Sequence, residues 1–306
     1  MGQTITGMNP QLMRLFDDQR GVATSGQILG LITRYAFDQA LKTGVLERIW
    51  PGIYCLGEPT EPLLLRGLDL SAGTRVAACL TTAAALHGFD TEGSTDLHVL
   101  NPPRHQLRSV DGLVVHRREG APLTVIDVDG DVRYVTAPAW TAVEVARALR
   151  RPRALATLDA ALRSGKCTRA DVWRAALDQA GRRGIVAVRN LIALADPRAE
   201  SPMESEARLM MLDAGLPVPE LQHEVIDGMG KLRRLDFAWP ECRVAVEYDG
   251  DDWHGNPDAL RNDRVRAAAL SDVGWLVIAI VSEDVRLRPQ ETVGRIDRQL
   301  GLARAA

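Results

Sequence analysis

The sequence predicts a multidomain α/β protein, and three observations support this fold class. The chain has 306 residues, more than the ~100–200 residues that one domain usually contains. Stretches with helical periodicity and short alternating strands follow one another along the chain. Proline-containing stretches near residues 59–62 and at residue 197 separate three segments. We therefore expect domains at residues 1–58, 59–196 and 197–306.

The composition is that of a soluble globular protein, with 46% hydrophobic and 25% charged residues. The net charge is −3, so any surface that binds nucleic acid must be local. The four cysteines have no metal-ligand spacing and fit reduced thiols. We expect no signal peptide, and no apolar run approaches the ~20 residues that a membrane span needs. We expect a cytoplasmic protein with no membrane partner and no small-molecule cofactor.

The sequence predicts that the first domain is a winged helix-turn-helix. Apolar spacing predicts helices at residues 10–19, 25–32 and 34–43, followed by strands at 45–50 and 53–56. Thr33 can cap the third helix and Gly44 can end it. In such a module the third helix enters the major groove of DNA. Winged helices also serve as protein-interaction modules, so the fold alone leaves both uses open.

The residues expected to contact DNA lie on the third helix and on the first wing strand. The exposed helix positions would include Arg34, Tyr35, Gln39 and Lys42, and Arg48 on the wing could reach a phosphate. Asp38 on the same helix would repel phosphate.

The N-terminal stretch GVATSGQILGLITRYAFDQALKTGVLERIWPGIYCLG resembles the N-terminal domain of AbiEi-type antitoxins. The resemblance rests on the step Gly44-Val45-Leu46, followed by Arg48, Gly52 and Tyr54. The later stretch CLTTAAALHGF resembles a second region of the same family. This resemblance implies an antitoxin-type DNA-binding regulator.

The middle domain is predicted to be α/β, ending in a helical segment. Strands are expected at residues 96–100, 113–117 and 132–135, and helices from residue 139 to residue 196. Its most basic part contains Arg104, Arg108, Arg117 and Arg118. These arginines could face phosphate, or they could form a solvated rim.

Three acids mark the C-terminal domain. Side chains on a strand alternate between faces, so Glu247 and Asp249 share one face, and an adjacent strand could bring Asp236 beside them. Carboxylates on one face repel one another unless a group compensates them, commonly a divalent cation with oxygen ligands. Ordinary solvated acids at a strand end are the alternative.

The stretch RRLDFAWPECRVAVEYDGDDWH resembles the PD-(D/E)XK nuclease superfamily, and most closely its branch related to the very-short-patch-repair (Vsr) endonucleases. The resemblance implies a restriction-endonuclease-like α/β/α core with a mixed sheet. Asp236 matches the first motif acid, and Glu247-Tyr248-Asp249 matches the second. Asp249 stands where the superfamily has the lysine that polarises the attacking water.

The resemblance implies a metal-dependent DNA endonuclease in repair or anti-phage defence. Mg²⁺ or Mn²⁺ would be held by Asp236 and Glu247. Asp249, or Glu206 from the first helix of the domain, would position the ion or the water. Glu204 is the rival of Glu206, because a capping box explains Glu204 without catalysis.

The resemblance also assigns a proton-transfer residue and two phosphate contacts. His254 would act as general base or would protonate the leaving group, or it is a loop histidine without such a role. Arg261 and Arg264 share a face of the helix that follows the acids, and are expected to contact phosphate. A local salt bridge with Asp263 is the alternative for these arginines.

Two functions therefore remain open. One is a metal-dependent endonuclease, favoured by the acids and His254. The other is a non-enzymatic regulator or antitoxin of the AbiEi type with a degenerate nuclease domain, favoured by the missing lysine. DNA is the expected partner in both, and a homodimer is a further expectation. A third alternative is a partner-binding protein whose winged helix binds a toxin.

Overall fold

The computed structural model describes residues 9–91, 95–103, 106–117, 120–250 and 257–305, without the side chains of residues 257–261 and 263. The chain forms two compact units, the first being Met1–Leu86 with Ser94–Ala137 and the second His87–Gly93 with Pro138–Ala306. The predicted α/β multidomain class is confirmed. The winged helix shares the first unit with part of the middle region, and the division into three domains stays a prediction.

The first unit begins with the winged helix-turn-helix. Its three helices are α1 (Pro10–Asp18), α2 (Ser25–Leu29) and α3 (Arg34–Lys42). Its three strands are β1 (Val22–Thr24), β2 (Leu46–Trp50) and β3 (Ile53–Leu56), which pair antiparallel in the order β1-β3-β2. Thr33 caps α3 as predicted, since its side chain accepts a hydrogen bond from the amide of Ala36. The three residues of β1 are too few to show a period, so the sequence did not reveal this strand.

A sheet and two helices complete the first unit. The helices are α4 (Glu61–Ala72) and α5 (Leu80–His87), and the strands are β4 (Leu97–Leu100), β5 (Leu113–His116), β6 (Leu123–Val128) and β7 (Asp131–Thr136). β4 and β5 pair in parallel, and β6 and β7 form an antiparallel hairpin. Ala78 bridges the two pairs through Val99 and Val135.

Asp131 at the start of β7 is a buried carboxylate surrounded by four arginines. Its Oδ1 accepts hydrogen bonds from Arg20 at 2.9 Å and Arg75 at 2.8 Å. Its Oδ2 accepts them from Arg66 at 3.0 Å and Arg133 at 2.7 Å. Burial by itself would raise the pKa of Asp131, but the arginines lower it to about 2. Because Arg20 follows α1 and Arg66 lies in α4, this cluster ties the winged helix to the hairpin.

Helices open the second unit and a sheet with flanking helices follows. The opening helices are α6 (Pro138–Ala146), α7 (Arg151–Arg163), α8 (Arg169–Asp178) and α9 (Ile185–Ile192). The following elements are α10 (Pro202–Asp213), β8 (Glu220–Ile226), β9 (Leu232–Trp239), β10 (Val244–Tyr248), α11 (Pro257–Asp272), β11 (Leu276–Ile280), α12 (Ser282–Arg286) and α13 (Pro289–Ala305).

The sheet is mixed and has helices on both faces, as predicted. Its order is β11-β10-β9-β8, with β10 and β11 parallel and the other pairs antiparallel. Phe237 and Val246 belong to a buried cluster with Met211 of α10 on one face. Ala245 belongs to a separate cluster with Leu270 of α11 on the other. Within the described residues, no helix is both long and apolar enough to cross a bilayer.

Replacing Asp131 with asparagine should destabilise the first unit. The change removes the charge that four arginines share, and breaking a buried ion pair costs about 3 kcal/mol. Because the pKa in the folded state is about 2 against an ordinary 3.8, the stabilisation is fully present above pH 3.8 and is lost as the pH falls towards 2. Urea unfolding at neutral and acidic pH measures both effects.

The control for this prediction is Asp111→Asn, because Asp111 is exposed in a turn. It should change the free energy of unfolding by less than about 0.5 kcal/mol. Equal losses in the two variants would contradict a special role of Asp131.

Candidate functional site

α3 presents the predicted DNA-contacting side chains. Arg34, Tyr35 and Lys42 are exposed, with Tyr35 at 74%, and Gln39 is half-buried. Arg48 is exposed on β2. These five side chains form a largely exposed strip on α3 and the wing. Three of them are cationic, so the strip can contact the phosphates and base edges of DNA.

The opposite side of α3 anchors the helix in the first unit. Phe37 is buried and meets Tyr54 of β3 edge to face, with ring centroids 5.1 Å apart. The guanidinium of Arg34 lies 5.9 Å from the centroid of the Phe37 ring. Asp38 is exposed, as its place in the helix predicts. The strip is therefore held by packing on the wing, which leaves its polar groups available.

In the second unit, β9 and β10 place Asp236 beside Glu247. The register pairs Val246 with Phe237, so the next opposed pair is Glu247 and Asp236, which share one face. Asp236 Oδ2 accepts a hydrogen bond from the amide of Tyr248 at 2.9 Å. Burial raises the pKa of both carboxyls, and the charge of Asp236 raises that of Glu247 further. The acid pair expected from the sequence is present, and its catalytic role stays a prediction.

Arg266 of α11 neutralises Glu247. Its guanidinium donates to both carboxylate oxygens, Nη1 to Oε2 and Nη2 to Oε1, the latter at 2.5 Å. Its Nη2 also donates to the carbonyl of Arg234 at 3.1 Å. Arg266 is not among the site residues predicted from the sequence, although helical spacing could have revealed it. Arg266 precedes the buried Leu270 by four residues, and both lie on the face turned towards the sheet.

The structure places Glu206 among arginines, and its predicted role at the acid pair stays a prediction. The Glu206 carboxylate accepts hydrogen bonds from Arg286 at 2.8 and 3.0 Å and from Arg150 at 2.9 Å, and Arg153 lies 3.7 Å away. Burial alone would raise the pKa of Glu206, but these arginines lower it. Residues 204–209 of α10 are all buried, so the helix has no single polar face from which the sequence could choose between its acids.

Glu204, the rival, is the α10 acid whose charge interacts with Asp236. Its Oε2 accepts hydrogen bonds from the amide of Glu200 at 2.9 Å and from Nε2 of Gln222 at 3.0 Å. Burial raises the pKa of Glu204, and the charge of Asp236 raises it further. Among the described residues, neither Glu204 nor Asp236 forms an ion pair with an arginine, although the charges of Arg266 and Arg234 partly offset the effect of burial on the pKa of Asp236.

Gln222 is a further residue of this site that the sequence did not indicate. The register of β8 and β9 pairs Leu221 with Phe237 and His223 with Leu235, so Gln222 lies opposite Asp236. Its φ is +54°, in the left-handed region that side chains other than glycine rarely adopt. Its side-chain Oε1 is buried and has no hydrogen-bond partner in the described structure. Strained backbone with an unsatisfied amide is typical of functional sites.

The chemistry of these residues fits a hard divalent cation, which prefers oxygen ligands. Carboxylates come from Glu204 and Asp236, and an amide oxygen from Gln222. Within the described ranges, no group of three His, Cys, Asp or Glu side chains could hold a metal. Mg²⁺ usually takes only one or two protein carboxylates and keeps several waters, so two acids are sufficient. Glu247, a predicted metal ligand, is engaged by Arg266.

The remaining predicted residues have different outcomes. Asp249 directly follows β10, and its charge raises the pKa of Glu247. Arg264 is exposed on α11, and the side chain of Arg261 lies outside the described residues. His254 also lies outside them. The roles assigned to these residues stay predictions.

Comparisons with known proteins found one family model that matches the central part of the chain and two relatives that match most of it. The family model "AbiEi antitoxin C-terminal domain" matches residues 76–194, which include the segment CLTTAAALHGF. The chain is also 51% identical over 275 residues to Uncharacterized protein MT2308 and Uncharacterized protein Rv2248 of Mycobacterium tuberculosis, strains CDC 1551 / Oshkosh and ATCC 25618 / H37Rv. These alignments cover 90% of this chain and 100% of each relative.

The match confirms the resemblance of the central segment to the AbiEi family. The resemblances of the N-terminal stretch and of the C-terminal acids lie outside residues 76–194. Both stay predictions.

Two substitutions on one helix should change stability in opposite directions. Glu206→Gln removes the charge shared by several arginines and should lower the free energy of unfolding by about 3 kcal/mol. Glu204→Gln removes a buried charge that forms no ion pair with an arginine, and its amide oxygen can still accept the hydrogen bonds from Glu200 and Gln222. It should raise the free energy of unfolding by about 0.5–2 kcal/mol. Denaturant unfolding near neutral pH measures both, and destabilisation by Glu204→Gln would contradict this assignment.

Proposed function

The chain belongs to the family of the two Mycobacterium tuberculosis relatives. We propose that it is a DNA-binding regulator of the AbiEi antitoxin type. The observation that carries the proposal is the exposed strip of α3, with Arg34, Tyr35 and Lys42, on a winged helix-turn-helix. The family match at residues 76–194 supports it, because that family is described as an antitoxin.

In the proposed complex, α3 lies in the major groove. Arg34 and Gln39 suit hydrogen bonds with base edges, and Tyr35 adds an apolar contact. Lys42 and Arg48 neutralise phosphates on either side of the groove. Asp38 repels phosphate and accepts hydrogen bonds from a cytosine amine, so it favours base contact over sequence-independent binding.

The antitoxin description adds a toxin as a second proposed partner. A homodimer would place two copies of α3 on half-sites about 34–36 Å apart, one turn of the DNA helix. Both proposals concern assembly and leave the role of α3 unchanged.

A second candidate function is metal-dependent hydrolysis of phosphodiester bonds. It is favoured by Glu204 and Asp236, which form no ion pair with an arginine among the described residues. It is also favoured by Oε1 of Gln222, which has no hydrogen-bond partner in the described structure. These oxygens would hold Mg²⁺ or Mn²⁺, which would neutralise the phosphate and lower the pKa of a water. Arg266 counts against this candidate, because it already neutralises Glu247. Asp249 also counts against it, since the resembled motif has lysine there.

DNA binding through α3 can be tested by fluorescence anisotropy of the full chain with labelled duplex DNA. Lys42→Ala and Arg48→Ala should each weaken binding, and each should reduce the slope of log K against log salt by about 0.9. Arg14→Ala is the matched control, because Arg14 is exposed on α1 and outside the strip. If Lys42→Ala and Arg48→Ala both bind like the unmodified protein, α3 and the wing are not the DNA-binding surface.

Cleavage assays separate the two candidates. As a regulator, the protein should leave single-stranded, duplex and mismatched DNA intact with Mg²⁺, Mn²⁺ or EDTA. Asp236→Ala should then bind DNA as tightly as the unmodified protein. Cutting that requires metal, disappears in Asp236→Ala and persists in Asp178→Ala would establish the second candidate instead. Asp178 is an exposed acid at the end of α8 and controls for the loss of one charge.

A further inference from the structure

A cavity of about 550 Å³ in the first unit is lined by the segment before β5 and by β5 itself. Its lining residues are Leu107, Arg108, Ser109, Val115, His116 and Arg117. Of these six described lining residues, two are arginines, one is a histidine, and none is acidic. A concave surface lined by one sign of charge concentrates the field and attracts anions.

Backbone contacts hold the two lining segments together. Val110 and Leu113 exchange two backbone hydrogen bonds of 3.1 and 2.9 Å. Ser109 Oγ accepts a further hydrogen bond from the amide of Val115 at 3.0 Å. The segment before β5 therefore runs back along this strand, and the two segments bring Arg108 and Arg117 to the same cavity.

His116 is fixed by a second histidine. Nε2 of His116 lies 2.9 Å from Nδ1 of His98 on the neighbouring strand β4, and the rings stack with centroids 5.1 Å apart. The backbone carbonyl of His116 accepts a hydrogen bond from the amide of Asn101 at 2.8 Å. Contacts within the protein therefore fix the position of His116 in the cavity wall.

The two arginines of the cavity differ from the arginines around Asp131. Arg108 and Arg117 are both exposed, and neither forms an ion pair with an acid in the described part of the chain. An uncompensated guanidinium suits phosphate oxygens, because its planar fork donates two parallel hydrogen bonds. Arg104 and Arg118, grouped with them in the sequence, lie outside the described residues.

We propose that this cavity binds a phosphate group of the DNA backbone. Arg108 and Arg117 supply the charge, and Ser109 and His116 supply further hydrogen-bonding groups. The proposal rests on the proposed DNA-binding function and extends it, because DNA would be held at α3 and also at the cavity. All four residues lie within the stretch that matches the AbiEi antitoxin C-terminal domain, so that region would take part in DNA binding.

The experiment measures duplex-DNA binding by the full chain over a range of salt concentrations. The variants are Arg108→Gln, Arg117→Gln and their combination. The double variant should bind several-fold more weakly at low salt, and its slope of log K against log salt should fall by about 0.9 for the lost phosphate. Arg14→Gln removes one exposed charge of the same unit and should leave the slope almost unchanged. Thermal unfolding of each variant checks that the fold is intact.

Three results would overturn the proposal. The first is an unchanged slope in Arg108→Gln/Arg117→Gln while Lys42→Ala still weakens binding, and this result leaves the proposed function standing. The second is an equal loss in Arg14→Gln, which would indicate a general effect of net charge. The third is the absence of DNA binding by the unmodified protein, which also removes the proposed function. Calorimetry with inorganic phosphate then shows whether the cavity instead takes free phosphate.

Discussion

Burial of carboxylates and their neutralisation by arginine is the constraint on which both units depend. A buried charge is costly unless it is paired, and breaking such a pair costs more than the pair contributes. Asp131 joins the winged helix to the β6–β7 hairpin in this way. In the second unit, Arg208 of α10 donates to the buried Asp159 of α7 at 2.7 Å, and Ser205 donates to the same carboxylate. The chain has three lysines, so arginine supplies nearly all of this neutralisation.

The row of Gln222, Asp236 and Glu247 across β8, β9 and β10 follows this rule only in part. Arg266 neutralises Glu247, whereas Asp236 and the neighbouring Glu204 are buried without an ion pair to arginine in the described structure. The site therefore has one carboxylate neutralised as in a structural scaffold, and two carboxylates that a cation could neutralise. The proposed regulator needs only the scaffold, because its contacts with DNA lie on α3 and on the cavity of the first unit. These two buried carboxylates without an ion pair are what keep the second candidate open.

Local patterns predicted much of the fold, and long-range contacts decided the rest. Caps, turns and periodicity were sufficient for α3 and its Thr33 cap, and alternation was sufficient to bring Asp236 and Glu247 to one face. Local patterns do not decide between Glu204 and Glu206, because their partners come from distant segments, Arg286 lying 80 residues from Glu206 in the sequence. No local pattern indicates the positive φ of Gln222 within a strand. The basic cavity likewise depends on the pairing of β5 with the segment before it.

Photo-crosslinking tests the central claim most directly. A photoreactive amino acid at position 35, which is exposed on α3, would be irradiated in the full chain with duplex DNA. A second protein would carry the same group at position 14 of α1 as the reference. We expect a DNA crosslink from position 35 that is several times stronger than the one from position 14 and that decreases as salt is raised. Equal or absent crosslinking at position 35, with DNA bound, would contradict DNA recognition by α3.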